Sequence, residues 1–157
     1  MHIRTATIED YPALAVIGRE SQGLHHQAHP TLFQSDSEGF TVEHVRAMLA
    51  GEQSTIYVAE DEGQLLGYAF LRTELRTDLE LFRPHVIAEI TDIAVTTRMR
   101  SQGIGQQLFA AARTWAREWG AERLELVVWE FNTRAIDFYQ RQGMHTLTRT
   151  MSLSLEK

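Results

Sequence analysis

Ala88-Glu89-Ile90-Thr91-Asp92-Ile93-Ala94-Val95 is the run from which the rest of the chain is read. Eight residues dominated by β-branched and apolar side chains predict an interior strand covered on both faces. From Ile104 the apolar residues fall at Leu108, Ala111, Ala112, Trp115 and Trp119, while Gln106, Gln107, Arg113, Arg117 and Glu118 take the opposite side. That spacing predicts a long helix, ended by Gly120. Between strand and helix lies Arg98-Met99-Arg100-Ser101-Gln102-Gly103-Ile104-Gly105.

A strand that enters a helix through Gly-x-Gly leaves backbone N–H groups unpaired at the helix start, and glycines at 103 and 105 let a ligand approach the backbone closely. Such a junction attracts anions. The helix end contributes about half a positive charge, worth about 0.3 to 1 kcal/mol per anionic group, and Arg98 and Arg100 add full charges. A pyrophosphate fits this chemistry. The dinucleotide fingerprint fails because Leu108 stands where its third glycine belongs, and the P-loop fails because no Gly-Lys-Ser/Thr follows. By itself the junction also reads as an ordinary strand-to-helix turn.

Two blocks of sequence narrow the choice. Arg100-Ser101-Gln102-Gly103-Ile104-Gly105 resembles the Arg/Gln-x-x-Gly-x-Gly/Ala acetyl-CoA loop of the GNAT superfamily of N-acetyltransferases, and Ile93-Ala94-Val95 resembles the strand end that precedes it there. Asn132-Thr133-Arg134-Ala135-Ile136-Asp137-Phe138-Tyr139-Gln140-Arg141-Gln142-Gly143-Met144 is similar to the family's Asn-x-x-Ala-x-x-Phe-Tyr-x-x-x-Gly-Phe segment, departing only at Met144. The blocks stand in the family's order and at its usual separation, and with their flanking strands the resemblance covers about residues 54–155.

Composition sets the outer limits. A chain of 157 residues is expected to form one domain with a single core. It contains no cysteine, which excludes disulfides, thiolate metal sites and an acyl-cysteine intermediate. Nothing at the N-terminus resembles a secretory leader and no apolar run approaches the roughly 20 residues of a membrane span, so a cytoplasmic location without membrane association is expected. A net charge of -6 argues against nucleic-acid binding, which needs a basic face. An acidic body with arginines gathered at one loop suits a local anion site and a cationic amine partner; the acidity also serves solubility alone.

The remaining elements follow in order. Residues 2–6 alternate as a first strand, Thr7 and Asp10 form a helix-capping pair, and a helix is expected to about Ser21. Residues 22–40 look irregular, residues 41–50 form a short helix stopped by Gly51, and strands over 54–60 and 64–76 flank the hairpin turn Asp61-Glu62-Gly63. After a loop over 77–84 and the central strand and helix come a strand over 123–129, a helix capped by Asn132 and closed by Gly143, and a final alternating strand over 151–155. This order is α/β with a mixed sheet. The resemblance implies a GNAT-type, mostly antiparallel central sheet flanked by helices, with a splayed parallel strand pair forming the acetyl-CoA cleft.

It also implies direct transfer of an acetyl group from acetyl-CoA to a primary amine of a small molecule or protein. The obstacle is protonation. A lysine-like amine with a pKa near 10.4 loses about 4.6 kcal/mol to protonation at pH 7, and an α-amine near 8 about 1.4. Glu89 matches the position of the glutamate base in histone acetyltransferases of the superfamily, and burial in the strand would favour such a role; pairing with Arg72 or Arg76 is its structural alternative. Asp92, which simple alternation places on the strand's other face, is the second candidate base or a structural hydrogen-bonding group. Tyr139 matches the tyrosine that the family often places near the thioester sulfur, as the acid for the departing thiolate, against a packing role beside Phe138.

For the cofactor, the resemblance assigns Ile93, Ala94 and Val95 to pair through their backbones with the pantetheine, and Arg98, Arg100, Ser101, Gln102, Gly103, Ile104 and Gly105 to the pyrophosphate. Asn132 would bond the pantetheine or only cap its helix, and Tyr139, near the thioester sulfur, belongs to the cofactor-binding set as well as the catalytic one. His25, His26 and His29 have metal-like spacing without acidic or cysteine partners, so no metal is expected; with Phe33, Leu81 and Phe82 they are candidates for lining the acceptor pocket, or they simply sit at the surface. Trp115, Trp119 and Trp129 read as core. The alternatives are a non-catalytic acyl-CoA-binding sensor or interaction module, and an enzyme using another acyl-CoA or an acyl-nucleotide. Relatives often dimerise, which raises a homodimer; the acceptor's identity has no code in the sequence.

Overall fold

A computed structural model of the chain describes residues 1–77 and 83–155. In chain order these form β1 (His2–Thr5), α1 (Tyr11–Ala28), α2 (Val42–Ala50), β2 (Ser54–Asp61), β3 (Gln64–Arg76), β4 (His85–Val95), α3 (Ile104–Glu118), β5 (Arg123–Leu126) and α4 (Thr133–Arg141). They divide into two compact units, Met1–Val127 and the residues from Val128 onward.

The first unit is built on a five-stranded sheet in the order β1-β2-β3-β4-β5. Neighbours are antiparallel except for the parallel pair β4–β5. The β2–β3 hairpin turns on Glu62 and Gly63, with φ of 48° and 77°, the two left-handed residues that a tight hairpin of this twist requires. One face of the sheet carries α1 and α2. There Leu14, Ile17, Val45 and Met48 pack against Ile56, Val58, Tyr68, Phe70 and Ala94, with Phe40 against them. The other face carries α3, whose Ile104 and Leu108 meet Ala59, Leu66 and Ala69, with Ile93 and Val95 alongside. Fully burying side chains of this kind contributes about 1.5 to 3 kcal/mol each.

Local chemistry fixes the element ends. Asp10 accepts the Thr7 N–H at 2.8 Å and two bonds from the Arg4 guanidinium at 2.7 and 2.8 Å, which ties the entry of α1 to β1. Thr41 caps α2 by accepting the His44 N–H at 3.2 Å. Gly18 lies so close to the Glu38 carbonyl that a Cβ would approach it to 2.4 Å, so the chain after α1 passes directly over the helix. Glu38 adds side-chain bonds to Tyr11, at 2.7 Å, and to Arg19.

Four sequence expectations are corrected. α1 continues to Ala28 instead of ending near Ser21. One glycine inside a helix costs only about 1 kcal/mol, and Gln22, Leu24, Gln27 and Ala28 sustain the helix until Pro30 forbids it. β5 stops at Leu126 rather than Trp129, because its ladder to β4 ends there. Residues 151–155 alternate but form no strand; Met151, Leu153 and Leu155 are more than four-fifths exposed, and alternation without a neighbouring strand is not enough. Trp119 and Trp129 are 41% and 43% exposed, and of the three tryptophans only Trp115 is core.

In the second unit Asn132 accepts the Ala135 N–H at 3.2 Å and so caps α4, as its position after a turn predicts. Gly143 follows α4 with a φ of 90°, the left-handed stop expected of it.

Candidate active site

The central strand has two different edges. Along β3 it is paired from His85 to Val95, whereas along β5 its pairing runs only from Ile87 to Ile90. From Thr91 to Val95 the side of β4 away from β3 therefore carries no ladder to β5. β5 itself ends at Leu126, a limit that periodicity could not show. Ile93, Ala94 and Val95 lie on this reach, where their backbone groups are placed as a strand edge.

A bulge sits where the ladder ends. Phe70 faces Asp92 and Leu71 faces Ile90, so Thr91 is the extra residue. Residues directly opposite each other in a ladder share a face. Phe70 and Arg72 lie on one face of β3, so their partners Asp92 and Glu89 lie on one face of β4. The expectation that Asp92 points away from Glu89 is thus wrong: the inserted Thr91 restores the phase that three-residue spacing would break. Two adjacent polar residues inside an apolar strand, Thr91-Asp92, were the available signal.

Glu89 is bound by Arg72, whose Nε and terminal nitrogen lie 2.7 and 2.6 Å from its Oε2. Asp92 accepts the Tyr68 hydroxyl at 2.9 Å. Tyr68 is fully buried and Asp92 is half-buried. Burial raises the Asp92 carboxyl above its ordinary value, against the opposing effects of the Tyr68 bond, the Ile93 N–H and the nearby imidazoles of His25 and His44. Burial, followed by the Asp92 charge, pushes the Tyr68 phenol up as well.

Beyond Val95 the chain makes a 3₁₀ turn at Thr97–Met99 and enters α3 through two left-handed residues, Ser101 with φ of 64° and Gly103 with φ of 82°. No heavy atom lies within 4 Å of where a Gly103 Cβ would stand, so the approach to the helix start is open. Ile104 is 2% exposed and anchors the helix in the core, leaving only its backbone for a ligand. Arg100 donates its Nε–H to the Val95 carbonyl at 3.1 Å, holding the loop against the end of β4. Arg98 and Gln102 are exposed, and the Gln102 amide reaches back to the Arg98 carbonyl at 3.5 Å. The donor set fits a pyrophosphate: helix-start amides, an open glycine and two arginines.

Glu20 of α1 reaches this loop, a link the sequence did not reveal. Its carboxylate accepts the Thr97 N–H at 2.6 Å and the Thr96 hydroxyl at 3.1 and 3.2 Å. Burial opposes the charge, yet the bonds from Thr97 and Thr96 together hold this carboxyl below its usual value. The Arg4 bond first, against burial, does the same for Asp10. A depressed carboxyl stabilises the fold above the unfolded-state value, near 4, and that contribution disappears as pH falls through the folded-state values. Unfolding free energy should therefore drop as pH is lowered below about 4, and Glu20→Gln should flatten part of that drop in urea titrations at successive pH values.

At the end of α1, His25 stacks at a tilt on Phe33, with centroids 5.2 Å apart, and His26 Nδ1 lies 2.8 Å from the Phe33 carbonyl. The structure thus brings His25, His26 and Phe33 together, and His44 stacks on Phe70 at 6.1 Å. His29 is half-buried and its carbonyl accepts the Phe33 N–H at 3.1 Å. Leu81 and Phe82 lie outside the described residues. In the second unit Tyr139 is half-buried on α4, its ring 5.3 Å from that of Phe138 in an edge-on contact.

A short parallel ladder beside an open, glycine-bearing helix start is a frame for an extended anionic ligand. The chain belongs to the Acetyltransferase (GNAT) family, whose model matches residues 22–144, and it is an N-acetyltransferase with an acyl-CoA as co-substrate. It is 28% identical over 143 residues to the uncharacterized N-acetyltransferase YhfO of Bacillus subtilis, covering 91% of this chain and 89% of that one. A crystal structure of a mutant BH1408 protein from Bacillus halodurans superposes with a TM-score of 0.95 at 29% identity, over 99% of this chain and 100% of that one. The aminoglycoside N-acetyltransferase AAC(6')-Iy, in complex with CoA, shares the fold with a TM-score of 0.68 at 17% identity, over 99% of this chain and 100% of that one.

Proposed function

We propose that the protein moves an acetyl group from acetyl-CoA directly to a primary amine of a small molecule or protein. The observation that carries this reading is the end of the β4–β5 ladder at Ile90, followed on the same strand by the loop to α3. When bound, acetyl-CoA supplies a thioester carbon open to attack. Ile93, Ala94 and Val95 would hold the pantetheine through their backbones, and Asn132 would add a side-chain bond. Arg98, Arg100, Ser101, Gln102, Gly103, Ile104 and Gly105 would hold the pyrophosphate.

Glu89 is proposed as the base that takes the amine's proton and Tyr139 as the acid that gives one to the sulfur, both on the strength of the family motif. The loss of a lysine-like proton accounts for about 4.6 kcal/mol at pH 7, which is why a carboxylate on β4 matters more for alkylamines than for weakly basic amines. With no cysteine in the chain, the acyl group has no thiol to visit on the way. A cytoplasmic location is proposed, and the chain is proposed to act as one catalytic domain, with a homodimer as its proposed assembly.

The test is an amine screen read by release of free thiol from acetyl-CoA, with mass spectrometry on each hit. Acetylated amine and thiol in equal amounts are expected from at least one class. Tight binding of acetyl-CoA without thiol release from any amine would instead establish a non-catalytic acyl-CoA sensor. A donor series then separates acetyl-CoA from longer acyl-CoAs.

A further inference from the structure

The two carboxylates on the α1/α2 face of β4 stand in unlike places. Glu89 lies on the closed reach of the strand, facing Glu125 of β5 on one side and bonded to Arg72 of β3 on the other. Asp92 lies past the bulge, on the reach that β5 no longer covers. Their β3 partners are two residues apart, which puts them about 7 Å from one another along the sheet. A fixed cation already satisfies Glu89. Asp92 has a neutral partner in the phenol of Tyr68, which steers the carboxylate without cancelling its charge.

The surroundings of Asp92 suit an organic cation. Phe70 is its cross-strand partner, and Phe40 packs against both Tyr68 and Phe70 with centroids at 5.7 and 4.9 Å. From α1 and α2, His25 and His44 act electrostatically on the carboxylate, and Glu20 of α1 is turned away to Thr96 and Thr97. Tyr68 and Phe70 are buried, so an ammonium group at the partly exposed Asp92 would be held by the charge of the carboxylate, with the aromatic cluster behind it. Among the described residues no cationic side chain is bonded to Asp92, and a half-buried carboxylate without such a partner is a candidate to be completed by a ligand.

We propose that Asp92, oriented by Tyr68, is the anchor for the acceptor's ammonium group, so that the enzyme selects amines that arrive as cations. The proposal rests on the transfer reading above and deepens it: Asp92 holds the protonated amine at the open reach of β4, and the proton then leaves to a separate base. No bond is made to Asp92. Its role is recognition, and its loss should appear in the acceptor's KM.

The experiment compares an alkylamine, cationic at assay pH, with an alkoxyamine, which is neutral there, in wild type, Asp92→Asn and Tyr68→Phe. For Asp92→Asn, acceptor KM for the alkylamine is expected to rise at least tenfold with kcat changed less than threefold, while the alkoxyamine stays within about twofold in both. Tyr68→Phe should change the alkylamine KM in the same direction and by less. Asparagine keeps an acceptor for the Tyr68 hydroxyl and removes a carboxyl that burial disfavours in its charged form, so Asp92→Asn should melt at the same temperature as wild type or higher. Equal losses for both amines, or none for either, would overturn the anchor and leave the transfer reading standing. Absence of thiol release from wild type with every amine overturns both. Should Asp92→Asn fail to fold, Tyr68→Phe with unchanged selectivity between the two amines rejects the proposal alone.

Discussion

Replacement of Tyr139 by phenylalanine is expected to lower the rate of acetyl transfer at least tenfold, with acetyl-CoA affinity changed less than twofold. A departing thiolate whose conjugate acid has a pKa near 8.5 is a moderately poor leaving group, and a phenol of pKa near 10 is close enough to share its proton as the C–S bond breaks. Positioned proton transfer of this kind contributes about 10² to 10⁴ in rate. The ring of Tyr139 already contacts Phe138, and phenylalanine preserves that contact, so melting temperature should move little. Single-turnover thiol release is the measurement. An unchanged rate removes Tyr139 from the mechanism and leaves it a packing role on α4.

Gly103→Val is expected to weaken acetyl-CoA binding tenfold or more. Gly103 holds a φ of 82°, a region that β-branched residues enter at a cost of about 1 to 3 kcal/mol. The space beside it is open, so no packing is lost; the harm comes from shifting the loop and from standing where a diphosphate would approach the helix start. Gly63 provides the control, since it also has a positive φ, 77°, and open surroundings but lies in the β2–β3 turn. Gly63→Val should lower the melting temperature by a few degrees with acetyl-CoA affinity unchanged. Isothermal titration of both variants separates the two effects. Equal acetyl-CoA affinity in the Gly103 variant and wild type would sink the placement of the cofactor loop.

Elements with a local cause could be read directly. The hairpin turn at Asp61-Glu62-Gly63, the cap Asn132 and the apolar face of α3 from Ile104 to Trp115 are each encoded within a few residues, and each stands where expected. Features that depend on distant strands could not. The bulge at Thr91 is defined only by what β3 places opposite it, and it decides that Glu89 and Asp92 share a face. The same holds for β5, which lasts only as long as β4 stays beside it, and for Trp119, whose phase on the helix says nothing of how far the sheet extends. Of the candidate site, the proposed cofactor loop could be picked out because its glycines and arginines lie within eight residues of one another. Tyr68, His44 and Glu20 were not, because their importance arises from three different elements converging on β4.

The Glu20 contacts have a mechanical consequence. The helix that carries His25 and His26 is hitched, through one carboxylate, to Thr96 and Thr97 at the root of the loop that leads into α3. Were the donor to bind on this loop and the amine beside the end of that helix, any effect of one on the affinity for the other would be returned by the same factor, and Glu20 is the contact through which it would pass.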